Sequence, residues 1–274
     1  MKKSVTSNKN ILLIAGSGNF AYESAIHLYK IKKLKKIFLI SDNKLILKRF
    51  DKIVKVFDIR NLELIFKSIK KEKILNVIII GYATLPKINE IKLSLLSKLY
   101  LTKNFYMKNI NNQSTILKKL ISSRNINLLS QKHVFKDLLI KRSDQSINDS
   151  HRYLVSDLRS NKKEIKKIFS LNMAQSFIMN GDRILAYEDI YGTDNLINRI
   201  GRRHNEFKNL IFVKSKKNNQ LDEIDFPVIG LQTLKLLKKY NFKAICLFNG
   251  NTIVSNKDQF KQFISESNLS LIVL

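Results

Sequence analysis

The sequence predicts an α/β protein: a Rossmann-like N-terminal domain built on a parallel sheet, followed by a separate C-terminal α/β domain. Three observations predict it. Short, continuous apolar runs alternate with segments whose apolar residues recur at helical spacing, the pattern of strands covered on both faces by helices. A glycine turn, Gly16-Ser17-Gly18, stands between the first run and the first helical segment. A polar, turn-prone stretch, IKRSDQSINDS over 140–150, separates two such series and reads as an interdomain linker. The domains are accordingly expected at 1–143 and 144–274.

In order, Ile11–Ala15 is a buried parallel strand and 20–31 a helix. Ile37–Ile40 is a second strand, Ile53–Phe57 a weaker third, and Leu62–Lys71 a helix. Val77–Gly81 is the clearest strand after the first, and helices are expected over 88–106 and 113–123. Beyond the linker, apolar residues from Leu154 to Phe169 predict one helix over 152–169. Gln175–Met179 and Arg183–Tyr187, joined through Asn180-Gly181-Asp182, predict a β-hairpin. A helix opens at Gly192-Thr193-Asp194, with Thr193 or Asp194 as its cap. Asn209–Lys214, Ala244–Phe248, Thr252–Val254 and Leu269–Leu274 read as strands, and Gly230–Tyr240 and Asp258–Ser265 as helices.

The chain of 274 residues is 44% hydrophobic, enough for a substantial core, and carries a formal charge of +28. Such a charge attracts anionic lipid or nucleic acid in a salt-sensitive way. Lysine is spread over the whole length, which points to compositional bias more than to a dedicated nucleic-acid groove. There is no Trp and no aromatic stacking run, so no specific nucleic-acid partner is expected. The single Cys246 sits in an apolar run and reads as a buried structural thiol in a reduced, intracellular protein. No signal peptide and no membrane-spanning run is recognised, and the four His show no zinc spacing.

Acids are scarce, 22 against 50 basic residues, yet seven fall between Glu188 and Gly230, among them Glu188, Asp194 and Asp225. They are interleaved with Arg199, Lys214 and Lys217, and carboxylates beside cations suit a divalent metal and a phosphate. The alternative is a solvated surface of ordinary ion pairs. Asp225 precedes Phe226-Pro227, which holds its loop extended, so a carboxylate there suits a metal ligand or a group that polarises water. Glu188 and Asp194 flank a turn short enough to bring both onto one cation. Gly16, Ser17 and Gly18, with Ala21 following, satisfy a G-x-G-x-x-A fingerprint, and Asp42 lies past the second strand where an acid would hold a ribose. An NAD(P)-dependent oxidoreductase therefore remains a reading of the N-terminal half, although the second half shows no recognisable hydride-transfer acid.

The chain resembles the UDP-2,3-diacylglucosamine pyrophosphatases of the LpxI type, nearly end to end. The resemblance rests on I-A-G-x-G at Ile14–Gly18, Gly81 with Pro86 after it, Gln175 following N-M-A, and Glu188. It continues through Gly192-Thr193-Asp194 with Arg199, K-x-x-K-x-x-Q at Lys214, Lys217 and Gln220, and D-x-P-x-I-G at Asp225, Pro227, Ile229 and Gly230. It departs at Ala21, where proline is usual, at Asn172 and Ala174, where Asp and Gly are usual, and at Leu221, where an acid is usual. The resemblance implies magnesium-dependent hydrolysis of the substrate's pyrophosphate to UMP and 2,3-diacylglucosamine 1-phosphate in lipid A biosynthesis, with water attacking the sugar-side phosphorus. It implies Asp225, Asp194 and Glu188 as catalytic and metal-holding acids. It implies Gly16, Ser17, Gly18, Gln175, Thr193, Arg199, Lys214, Lys217 and Gln220 as substrate-binding groups. The expected partners are the UDP-linked diacylated glucosamine lipid and an anionic inner-membrane surface, which would hold a cytoplasmic monomer or homodimer peripherally. A homologue with a shifted substrate is the alternative that the departures leave open.

Overall fold

The structure is a computed structural model that describes residues 10–83, 90–92 and 113–274. The helix expected over 88–106 falls almost wholly outside these residues, as does Pro86. The chain packs as two compact units. One comprises Met1–Val134 together with Leu221–Asp225; the other comprises Phe135–Gln220 and Phe226–Leu274.

The N-terminal unit contains a five-stranded sheet in the order β3-β2-β1-β4-β5: β1 (Ile11–Ala15), β2 (Leu34–Leu39), β3 (Val54–Val56), β4 (Asn76–Ile80) and β5 (Asn127–Leu128). Every neighbouring pair is parallel. β1 is continuously apolar because it is the central strand and all five of its residues are buried. Helix α1 (Asn19–Lys30) follows it and buries Ala21, Ser24, Ala25 and Leu28, one face at helical spacing. The short α2 (Lys44–Arg49), absent from the sequence reading, buries only Ile46, and a single apolar position makes no visible stripe. Helices α3 (Leu62–Glu72) and α4 (Gln113–Ser122) and the one-turn α5 (Gln131–Val134) are the other helices of this unit among the described residues. The strand order reverses direction between β1 and β4, the switch point at which ligands bind in open α/β sheets.

The C-terminal unit is a three-layer sandwich around a sheet in the order β12-β10-β8-β6-β7. Its strands are β6 (Ser176–Asn180), β7 (Arg183–Tyr187), β8 (Leu210–Lys214), β10 (Ala244–Leu247) and β12 (Ser270–Val273). β8, β10 and β12 are parallel, and the β6–β7 hairpin joins the edge with β6 antiparallel to β8. The two-residue period of the strands divides the core. Leu210, Phe212, Ile245, Leu247 and Leu271 face one layer, with Leu196, Leu234 and Phe260 of helices α8 (Gly192–Gly201), α9 (Leu231–Lys239) and α10 (Lys257–Ser265). Ile211, Val213, Ala244, Cys246 and Ile272 face the other, with Leu158 of α6 (Arg152–Ser160) and Phe169 of α7 (Lys162–Ser170). Cys246 is fully buried, and burial pushes its thiol up to about 12, as a structural thiol requires. A small parallel pair, β9 (Val228–Ile229) with β11 (Ile253–Val254), completes the unit.

Two expectations need correction. The single helix over 152–169 is two, α6 and α7, with Asn161 closing one and opening the other; the apolar spacing carries across the break and hides it. The stretch 140–150 is not a loose linker. Ser146 and Leu271 exchange backbone hydrogen bonds, Gln145 accepts one from the Val273 amide, and buried Asp144 pairs with Lys257 at 2.6 Å and Lys261 at 3.3 Å. The polar residues that suggest a linker are the ones that fasten it.

Candidate functional site

One end of the C-terminal sheet gathers a polar network. Ser176 and Lys214 begin β6 and end β8, directly opposite each other in the antiparallel pair. Both continue the inner row that further along holds Ile178 and Phe212, so alternation turns them beneath the helices of that face. Ser176 is 0% and Lys214 3% exposed. Polar groups so buried require partners, and Glu188 supplies one. Its backbone N–H donates to the Ser176 carbonyl at 2.9 Å, which seats it one residue past β7. Ser176 Oγ donates to Glu188 Oε2 at 2.5 Å, and Thr193 Oγ1 to Oε1 at 3.0 Å. Gln175 Nε2 adds a longer contact of 3.4 Å to the same oxygen. Lys214 Nζ donates to Thr193 Oγ1 at 2.8 Å, so an ammonium, a hydroxyl and a carboxylate form one chain.

A second strand of contacts extends it. Gln220 Nε2 donates to Gln175 Oε1 at 2.8 Å, and Gln220 Oε1 accepts from the Lys217 amide at 2.8 Å. Asn172, in the left-handed region at φ 59°, accepts the Asn219 amide at 2.9 Å and ties the loop before β6 to the loop after β8.

The loop between β7 and α8 is set by Asp189. Its carboxylate accepts the Tyr191 amide and pairs with Arg199 at 3.0 Å, while Arg199 also donates to the Tyr187 carbonyl. Gly192 then starts α8 at φ +82°, a left-handed value that glycine adopts without strain. Neither Thr193 nor Asp194 caps α8 as expected: the helix has no side-chain cap, because Thr193 Oγ1 is given to Glu188. Asp194 is exposed on the first turn, and its carboxylate accepts a 3.5 Å contact from Thr233 Oγ1 of α9. Glu188, Gln175, Thr193, Lys214, Gln220 and the Lys217 backbone are thus brought together, while Asp194 and Arg199 have their contacts elsewhere. Ser176 is the member that sequence reasoning missed. Its signal was available: a polar residue at an inward strand position, level with Lys214.

The remaining candidates lie on the N-terminal unit. Asp225 is exposed at the end of a turn whose backbone accepts from Gln131 at 2.7 Å through the Asp222 carbonyl, and whose Glu223 pairs with Lys118 at 3.0 Å. Gln131 Nε2 also donates to the Ile79 carbonyl, which fixes this turn beside the end of β4. The glycine turn sits at the end of β1. Ser17 N–H and Oγ both donate to the Tyr82 carbonyl, at 2.7 and 2.9 Å, and the Tyr82 amide returns a bond to Ser17. A Cβ on Gly16 would meet that carbonyl oxygen at 2.4 Å, so the first glycine is required by the close approach of the chain after β4.

A diphosphate would meet suitable groups at the C-terminal sheet end: a buried ammonium, a fixed carboxylate, and the N-terminus of α8, which carries partial positive charge. Magnesium takes hard oxygen ligands and is commonly held by one or two carboxylates together with substrate phosphates. Glu188 meets that minimal demand. A carboxylate offers about four lone-pair positions, and its three side-chain contacts leave room for a cation. Among the described residues no three His, Cys, Asp or Glu side chains gather into a metal-holding group.

Comparison with known families covers nearly the whole chain. The model of the LpxI N-terminal domain matches residues 10–138, and that of the LpxI C-terminal domain matches 145–272. No curated protein matches the chain.

Proposed function

The chain belongs to the LpxI family, and from that premise we propose that it hydrolyses the pyrophosphate of UDP-2,3-diacylglucosamine to UMP and 2,3-diacylglucosamine 1-phosphate. Membership implies a role in lipid A biosynthesis on a UDP-linked diacylglucosamine. The observation that carries the finer reading is the chain Lys214–Thr193–Glu188–Ser176, a cation and an anion held at a sheet end by two hydroxyls.

In this reading Lys214 neutralises charge that develops on the diphosphate oxygens, and Thr193 fixes both the ammonium and the carboxylate. Gln175, Gln220, Lys217 and Arg199 orient the substrate. Asp225 orients the attacking water and takes its proton. Water adds to the sugar-side phosphorus, the bond from that phosphorus to the bridging oxygen breaks, and UMP leaves with that oxygen. Magnesium, when bound, would supply Lewis-acid neutralisation of the diphosphate, and Glu188 is the carboxylate proposed to hold it, since the expected trio with Asp194 and Asp225 does not gather among the described residues. The protein is proposed to act at an anionic membrane surface; no helix among the described residues is long and apolar enough to cross one. Against the oxidoreductase alternative stands the glycine turn itself, whose Ser17 donors are taken by Tyr82.

The test is UMP release by purified protein with Mg²⁺ and the diacylated UDP-sugar. Asp225→Ala is expected to abolish release while the melting temperature stays near that of the parent. Full activity in that variant would overturn the assignment. In ¹⁸O water the label is expected in the sugar 1-phosphate; label in UMP would move the attack to the other phosphorus.

A further inference from the structure

The segments that hold Glu188 end in large apolar side chains turned into solvent. Ile190 is 92% and Tyr191 73% exposed, in the loop between Glu188 and α8. Leu171 and Met173 are 60% and 54% exposed, in the loop that leads to Gln175 and Ser176. Because Glu188 pairs with Ser176, both loops emerge from the same end of the sheet. The Asp189 turn with its Arg199 pair sets the first loop, and the Asn172–Asn219 bond braces the second, so neither protrusion is an unsupported tip.

Cations lie on the segments that adjoin Leu171 and Met173. Lys166 and Lys167 are exposed on the last turns of α7, which runs directly into Leu171. Lys216 and Lys217 lie on the loop that Asn172 and Asn219 join to the same place. The nearby Asp189 is neutralised by Arg199.

We propose that this end of the C-terminal unit docks on an anionic lipid surface, with Ile190, Tyr191, Leu171 and Met173 entering the interface and the lysines meeting lipid phosphates. Apolar side chains at loop tips gain by entering the headgroup–acyl boundary, where tyrosine is favoured, and each nearby Lys adds attraction to anionic lipid. Four side chains on two separate loops fall well short of the roughly 800 Å² per partner of a specific protein interface, which disfavours a second copy of the chain as the occupant. The placement would set the polar network facing the layer from which a lipid-linked diphosphate is presented. In that respect the inference rests on the proposed function.

The test uses vesicles of phosphatidylcholine with and without phosphatidylglycerol and no UDP-lipid, so vesicle binding can fail while UMP release stands, and the reverse. The full chain is expected to sediment with the anionic vesicles. The paired substitutions I190S/Y191S and L171S/M173S are each expected to weaken binding roughly tenfold or more, with the melting temperature retained. The protein contains no Trp, so Ile190→Trp installs a single reporter whose emission should shift to the blue on anionic vesicles alone. Unchanged binding by both paired variants, or an unshifted reporter on bound protein, would overturn the proposal. So would a variant that changes the oligomeric mass in light scattering while binding vesicles like the parent, which would make the patch a protein interface.

Discussion

The end of β1 and the shared end of β6, β7 and β8 make opposite uses of polar residues. At β1 a conspicuous glycine pattern, Gly16-Ser17-Gly18, closes on its own protein: Ser17 and Tyr82 exchange hydrogen bonds, and Gly16 is there to let them meet. At the other sheet end the recognisable spacings lie far apart in the chain, and Ser176, Glu188, Thr193 and Lys214 arrive from four separate segments to form one chain of hydrogen bonds. A local pattern reports local geometry, whereas a site assembled across strands is written only in the pairing of those strands.

The contrast can be broken most directly at the network. Glu188→Gln and Lys214→Met each remove a charge while keeping shape, and each is expected to lower kcat by about 10²–10³; a loss of less than threefold would make the network structural only. Next comes Ser176→Ala, which leaves the Glu188 carboxylate short of its 2.5 Å donor. About tenfold in kcat is expected, with a stability loss of about 1 kcal/mol, and Ser176→Thr should recover part of the activity if the hydroxyl positions Glu188. On the opposite side of the comparison, Gly16→Ala sets a methyl against the Tyr82 carbonyl and should cost about 1–3 kcal/mol in urea unfolding. If it instead leaves stability intact and abolishes activity alone, the glycine turn belongs to the site after all.

The smallest expected effect concerns acid. His151 is buried against Ser270, and burial, then the charge of Lys243, holds its imidazole below the ordinary value of about 6.5. Because the folded value lies below the unfolded one, its contribution is complete above about pH 6.5 and is lost as pH falls through the folded value. For Asp144, burial favours the neutral acid, but hydrogen bonds from Lys257 and the Lys141 amide outweigh it and hold the carboxyl low. Its contribution is complete above about pH 3.9 and lost below that. Melting temperature should therefore start to fall below pH 6.5, and His151→Asn should flatten that first part of the profile while leaving the second.

Burial decides which parts of the molecule were readable. Ile11–Ala15 was legible to the residue because a central parallel strand is apolar on both faces. The three-layer C-terminal unit was legible as alternating strands and helices, but Asn161 was not legible as a break, since Leu158 and Ile165 keep the helical spacing on either side of it. In the site, Glu188, Thr193 and Lys214 were found because they sit in recognisable spacings. Ser176 was not, because a serine at a strand start says nothing until the strand's inner row and its partner are known.

The turn Leu221–Asp225 packs with the N-terminal unit although most of the C-terminal unit precedes it in the chain. During synthesis Gln131 and Lys118 emerge long before the carbonyl and carboxylate they will hold. The first unit to leave the ribosome is thus among the last to be finished, and a fragment ending before residue 221 would carry the two donors with nothing to receive them.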